Sequence, residues 1–149
     1  MTINFEPKIG QVLECNYGSY RCANEQIITN DFDAHLPPEM VKNRLVVVVN
    51  AKIDRNACIV VPLSSTIDSN KVKRGYHVEV LKNAIPNLHY FEQRPRWAKG
   101  DLVQLVSKYR LNRPRLEGRG YLNQVLDREF VTQLQKAIIK AINASALIV

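Results

Sequence analysis

With 149 residues, 46% of them apolar and no low-complexity tract, the chain is long enough to bury a core of its own and is expected to form one domain spanning 1–149. Its longest apolar run falls far short of a membrane span, and the opening Met1-Thr-Ile-Asn-Phe-Glu-Pro7 lacks the basic start and apolar stretch of a secretory signal, so no membrane role is expected. A formal net charge of +7 favours an acidic partner, either nucleic acid or an acidic protein, although a basic protein without a polyanion ligand would carry the same charge.

In chain order, Ile9 to Tyr17 reads as a first strand. The stretch 18–43 is long, polar and turn-rich, with Pro37-Pro38, and a loop of that length inside a small domain is usually functional or mobile. Two Val- and Ile-rich runs of strand length follow at about 44–51 and 57–64, joined by the turn-prone Asp54-Arg55-Asn56. A hairpin sets the start of its first strand beside the end of its second. Arg44 would then meet the hydroxyls of Ser64, Ser65 and Thr66 at one edge of a rigid sheet, a place suited to holding a phosphate.

Beyond the hairpin, 67–74 reads as a basic polar loop and Tyr76 to Leu81 as a half-buried strand. Residues 83–95 form an irregular excursion punctuated by Pro86 and Pro95, and Asp101 to Ser107 reads as a further strand. The tail is different in character. Phe130, Leu134, Ala137, Ile138, Ala141 and Ile142 share one helical face, and Asp127 is a credible N-cap, which gives an amphipathic helix over about 127–143. Short strands closed by one terminal helix imply a small, strongly bent antiparallel sheet or barrel.

Cys15 and Cys58 lie in strand-like runs and Cys22 in a polar loop; an odd count without paired spacing argues against a disulfide framework. His35, His77 and His89 are scattered without ligand spacing, so no metal site and no cofactor are expected, and a reducing cytoplasm suits the composition.

Several segments, taken in order, resemble one family. Gly10-Gln-Val-Leu-Glu-Cys-Asn-Tyr17 is similar to its first strand, and Glu39-Met-Val-Lys-Asn-Arg44 keeps an acidic residue five positions before an arginine. Val46 to Val49 is similar to the strand that follows, Val60-Val-Pro-Leu-Ser-Ser65 to the Val-Pro-hydrophobic-Thr/Ser segment, and Asp101 through Arg110-Leu111 to the stretch near the end of the barrel. The family is the MazF/PemK (Kid-like) toxins of type II toxin–antitoxin systems. The resemblance implies a mainly β fold with a C-terminal α-helix, an SH3-like, CcdB/PemK-type barrel. It also implies a homodimer, metal-independent endoribonuclease activity on single-stranded RNA, and a cognate antitoxin whose acidic tail covers the active groove.

There are departures. Leu45 stands where Pro commonly follows the arginine, and Ser64 where Thr is usual. Gln104 and Ser107 stand where some members place a catalytic Arg and Asp, and the loop 18–43 is longer than in compact members.

In the chemistry so implied, Arg44 stabilises the phosphorane, Ser64 donates to a nonbridging oxygen or orients the 2′-hydroxyl, and Glu39 acts as base or orients Arg44. A structural Arg44 would instead pair with Glu39 or Asp101, and Ser64 would cap a strand end. Lys42, Ser65, Thr66, Lys71, Lys73, Arg74 and His77 are the candidate backbone contacts to RNA, each otherwise a solvated side chain or a turn residue. Tyr20 and Tyr76 are candidate stacking residues, with a core position equally open to Tyr76, while Trp97 reads as packing. A noncatalytic CcdB-like gyrase inhibitor and a non-toxic SH3-like RNA- or protein-binding module are the alternative functions.

Overall fold

The computed structural model describes residues 2–148. A seven-stranded antiparallel sheet dominates it. In chain order the strands are β1 (Val12–Asn16), the small hairpin β2 (Cys22–Ala23) and β3 (Gln26–Ile27), β4 (Asn43–Asp54), β5 (Ala57–Ser64), β6 (His77–Val80), β7 (Arg96–Lys99), β8 (Gln104–Ser107) and β9 (Leu111–Asn112). The main sheet runs β6-β7-β5-β4-β1-β9, with β8 also on β5, and β2 and β3 pair only with each other. Two α-helices stand among the described residues: the single turn α1 (Ser69–Lys73) and the long α2 (Arg128–Ala141).

The β4–β5 hairpin organises the rest. Asp54 pairs with Ala57 around a two-residue turn, in which the Asp54 carboxylate accepts the Asn56 N–H at 2.7 Å. The register breaks twice along β4, between Val48 and Asn50 and again before Asp54. Such irregularities bend a strand and increase its twist. β5 consequently changes partner along its length on the side away from β4: Ala57 to Val60 pair with β8, and Leu63 and Ser64 with β7. This is the strongly bent sheet that short strands and one helix imply.

Both faces of the hairpin are covered within the chain. Leu45, Val47, Val61 and Leu63 pack with Val12, Leu126 and Leu134, with Phe130 and Ile138 of α2 partly buried against them. Val46, Val48 and Val60, on the opposite face, pack with Leu13, Cys15, Tyr17, Cys58 and Leu111. Unbroken Val runs are the expected signature of strands buried on two sides. They therefore need no second subunit to cover them.

Helix α2 starts where its sequence says it should. Asp127 caps it, accepting the Phe130 N–H at 2.8 Å, and Val131, Leu134 and Ala137 are buried. Gly10 provides the close approach that seats the helix start. Its φ is +88°, and a Cβ there would lie 2.8 Å from the Leu126 carbonyl oxygen. Cys15 and Cys58 are buried and Cys22 is exposed, all as free thiols. Burial pushes the Cys15 thiol up to about 12 despite the charge of Arg110, so it is inert at neutral pH.

Several expectations are corrected. The first strand begins at Val12 rather than Ile9, because Gly10 turns the chain. Part of the supposed loop 67–74 is the helical turn α1, capped by Asp68, whose side chain accepts the Lys71 N–H. Asp101 is not in a strand. Gly100–Leu102 is a 3₁₀ turn, and only Gln104–Ser107 is extended. β7 was not anticipated at all.

Candidate nucleic-acid site at the start of the central hairpin

The β4–β5 pairing ends at Val46 and Pro62, and Arg44 and Ser64 each lie two residues beyond that end of the ladder. Arg44 and Ser65 line one groove there. Arg44 is half-buried, and its Nε donates to the Val41 carbonyl oxygen at 3.0 Å, which fixes the side chain at the strand start. Among the described residues no carboxylate forms an ion pair with it. Tyr17 belongs to the same side of the sheet, with a buried hydroxyl that lacks a hydrogen-bond partner. Burial holds that hydroxyl protonated, with Cys15 adding to the effect and the charge of Arg44 opposing it.

Arg44 opens into a groove of about 440 Å³, also lined by Ser65, Tyr90, Glu92, Arg94 and Arg96. Three guanidinium groups therefore share one concavity with one carboxylate. Glu92 pairs with Arg94 at 2.6 Å. Arg96 is only 8% exposed. It donates to the Glu92 carbonyl oxygen at 2.8 Å and lies 5.8 Å from the centre of the Phe91 ring. Burial lowers its pKa, and Arg94 adds to the effect. A buried guanidinium without a carboxylate partner is costly, and a bound anion would offset that cost.

The other sequence candidates are distributed differently. Ser65 lines the groove, whereas the Ser64 hydroxyl is engaged in its own turn, accepting from Thr66 N at 3.1 Å and donating to Thr66 O at 3.3 Å. Thr66 and Lys42 are exposed, Lys42 with φ of 74° at the turn that delivers Arg44. Glu39 does not reach this groove. Its carboxylate accepts the Leu36 N–H at 2.6 Å, and its carbonyl accepts from the Tyr20 hydroxyl at 2.7 Å, so it organises the long loop.

Lys71 and His77, expected to face a phosphate backbone, both turn to Asp101. Lys71 Nζ lies 2.7 Å from Asp101 Oδ2 and His77 Nε2 lies 2.7 Å from Asp101 Oδ1. The His77 side chain is fully buried, which takes it out of reach of RNA in this arrangement. Lys73 and Arg74 are exposed at the end of α1. Asp101 is thereby occupied, so neither proposed structural partner of Arg44 is used. Gln104 is exposed, and the Ser107 hydroxyl accepts the Tyr109 N–H at 3.2 Å. Among the described residues no group of three or more His, Cys, Asp or Glu is arranged to hold a metal ion, and no helix is long and apolar enough to cross a membrane.

Tyr90, Phe91, Glu92, Arg94 and Arg96 were missing from the sequence reading. Their local signal is an ordinary charged, Pro-punctuated stretch, and only the folding of residues 81–95 over the hairpin end brings them to Arg44. The nearest sequence clue is Arg94-Pro-Arg-Trp97, two arginines flanking a rigid proline.

A profile of the PemK-like, MazF-like toxins of type II toxin–antitoxin systems matches residues 24–142. The chain belongs to that family. The Escherichia coli (strain K12) protein YifN is 58% identical over 149 residues, 99% of either chain. A protein of Haemophilus influenzae is 44% identical over 142 residues, 95% of this chain and 94% of its own. Among solved structures, the Mycobacterium tuberculosis toxin MazF-mt6 superposes with a TM-score of 0.50 at 19% identity, covering 70% of this chain and 91% of its own. At that identity the likeness shows the fold. It also leaves nearly a third of this MazF-like toxin outside the shared part. Type II toxins pair with an antitoxin, so a protein partner comes with family membership.

Proposed function

We propose that this toxin is a metal-independent endoribonuclease that cleaves single-stranded RNA, with the Arg44 groove as its active site. The observation that carries the reading is a fixed arginine, without a carboxylate partner among the described residues, at the edge of a rigid hairpin in an open groove with a hydroxyl and two more guanidinium groups. The attacking 2′-oxygen forms a bond to phosphorus and the bond to the 5′-oxygen breaks. Arg44 stabilises the charge that builds on the nonbridging oxygens; its planar fork can bind two of them and stays ionised. Ser65, lining the groove, donates a further hydrogen bond, and Ser64 shapes the turn that presents it.

Glu92 is the carboxylate that shares the groove, and it takes the role first assigned to Glu39. It accepts the 2′-hydroxyl proton, while water in the open groove supplies the proton to the leaving 5′-oxygen. Lys42, Thr66, Lys73 and Arg74 remain outlying contacts to the RNA backbone. The antitoxin is expected to inhibit by laying an acidic segment into the same basic groove. The toxin is expected to work in the cytoplasm as a homodimer, although the central strands give no apolar face that requires one. Incubation of the purified chain with single-stranded RNA and a chelator tests the reading. Cleavage to a 2′,3′-cyclic phosphate and a 5′-hydroxyl supports it, and intact RNA overturns it.

A further inference from the structure

The Arg44 groove does not end at Tyr90. Tyr90 also lines a second groove, of about 540 Å³, together with Glu14, Asn112, Arg113, Arg115 and Tyr121. A second link joins the two: the Asn43 amide, in the first groove, donates to the Glu14 carboxylate, in the second. The ridge between them is held in place. The excursion 81–95 docks on the segment 113–121 through a Leu88–Leu116 bridge, a His89 N–H bond to the Arg115 carbonyl oxygen at 2.9 Å, and the Asn87 amide on the Glu117 carboxylate.

The second groove sets two arginines and two tyrosines beside one carboxylate, Glu14, which accepts from the Asn43 amide. Tyr90 is 67% exposed and Tyr121 54% exposed, so part of each ring is open to a ligand. The Arg113 guanidinium lies 6.0 Å from the Tyr121 ring centre, and it has no carboxylate partner among the described residues. Arg115 is exposed and likewise unpaired among them. Exposed rings interleaved with guanidinium groups are how proteins hold unpaired bases and the phosphates between them. An acidic peptide would use the charges but leave the two rings without a role.

We infer that a single-stranded RNA leaving the Arg44 groove crosses Tyr90 and continues along Arg113, Arg115 and Tyr121, which bind the strand beyond the scissile phosphate. This inference rests on the ribonuclease reading. Tyr90 and Tyr121 stack on bases, and Arg113 and Arg115 contact phosphates. The track gives the toxin affinity for strands longer than the few nucleotides that fill the first groove.

The test compares binding of two fluorescent single-stranded RNA pools with 2′-fluoro sugars, which lack the attacking hydroxyl and stay uncut, one of pentanucleotides and one several times longer, by anisotropy over a series of salt concentrations. Arg113→Ala/Arg115→Ala is expected to weaken binding of the longer pool about tenfold. Its slope against log salt should fall by about 1.4, about 0.7 for each lost phosphate contact on a single strand. Pentanucleotide binding should stay at the parental level. Arg113→Lys/Arg115→Lys should keep most of the affinity and Tyr121→Phe all of it, while Tyr121→Ala should lose it. A longer RNA carrying 4-thiouridine should crosslink in the unaltered protein to the peptide holding Arg115 and Tyr121, a readout that needs no variant to fold. Folded variants with parental affinity and slope for the longer pool, or no crosslink there, overturn the track while a cleaving parent leaves the ribonuclease reading standing. Variants that lose an acidic peptide but not RNA reassign the groove to a protein partner and overturn it too. A parent that neither binds nor cuts RNA overturns both.

Discussion

His77 Nε2 stands 2.7 Å from Asp101 Oδ1, while Nδ1 of the same ring is buried without a hydrogen-bond partner. The contact is satisfied by Nε2–H donating to the carboxylate, whose other oxygen accepts from Lys71 at 2.7 Å. Asp101 thereby ties β6, α1 and the 3₁₀ turn before β8 together. Burial pushes its carboxyl up, but the hydrogen bonds from Lys71 and His77 outweigh burial and hold it below the ordinary 3.8.

Asp101 therefore contributes stability as a carboxylate. A depressed folded-state pKa stabilises above the unfolded value and loses that effect as pH falls through the folded one. Asp101→Ala should cost about 2 kcal/mol at neutral pH, because it leaves two donors, one of them buried, without an acceptor. Asp101→Asn, which keeps an acceptor for His77, should cost less. Urea unfolding at neutral pH and again below the ordinary carboxylate value of 3.8 checks this; the gap between parent and Asp101→Asn should shrink in acid. An undiminished gap would contradict the ionic part of the argument.

How much of this was legible in sequence depends on range. The β4–β5 hairpin and α2 announce themselves locally, by long Val and Ile runs around an Asp-Arg-Asn turn and by a 3.6-residue apolar stripe behind Asp127. β7 does not: Arg96-Trp-Ala-Lys99 is four residues long, buries an arginine and offers Trp97 alone as a strand-favouring residue. The site divides the same way. The closeness of Arg44 and Ser65 was legible because they sit at the start of one strand and just past the end of its neighbour. Glu92 and Arg94 arrive through an irregular excursion whose path no periodicity encodes, and Arg96 at the start of β7. Lys71 and His77 looked like free charges because their partner Asp101 lies 30 and 24 residues away.

Arg44→Ala should abolish toxicity with little loss of stability. The side chain is half-buried and makes one hydrogen bond to Val41, so its removal should cost about 1 kcal/mol. Removing a charged donor used chiefly in the transition state typically costs about 100-fold or more in rate. Growth after induction, read beside a thermal melt of the purified variant, separates the two. A folded Arg44→Ala chain as toxic as the parent would remove Arg44 from the site.

Glu92→Gln and Glu39→Gln should part company. The first deletes the carboxylate of the groove while keeping the carbonyl that holds Arg96, and should slow cleavage about 100-fold, a range typical of a lost general base. The second alters a loop hydrogen bond and should leave cleavage within a few-fold of the parent. Single-turnover rates on one RNA decide it, and the reverse ranking would return the role of base to Glu39.

Ser64→Ala and Ser65→Ala probe the two hydroxyls. Ser64 accepts from Thr66 within its own turn, so its loss should lower stability by about 0.5–1.5 kcal/mol and slow cleavage only modestly. Ser65 faces the groove and should show the opposite balance, a rate loss with an unchanged melting temperature. Both should slow cleavage less than Arg44→Ala, since a neutral hydrogen bond is weaker than a charge-assisted one. Equal rate losses for all three variants would mean that the arginine is not the principal stabiliser.

The reaction gives the sharpest test. If the 2′-hydroxyl is the nucleophile, a single 2′-deoxy residue at the scissile position should make an otherwise good substrate resistant, while binding as tightly as its all-ribose counterpart. The fragments of the ribose substrate should carry a 2′,3′-cyclic phosphate and a 5′-hydroxyl, and should form in the presence of a chelator, because the charge stabilisation comes from Arg44 and its neighbours in the groove. Duplex RNA should be cut poorly, since paired bases cannot splay into a groove that opens at the end of a hairpin. Mass spectrometry of the fragments reads the chemistry directly. A 5′-phosphate end would mean that water, not the 2′-oxygen, attacks; cutting of the 2′-deoxy strand or strict dependence on added Mg²⁺ would overturn the mechanism on independent grounds.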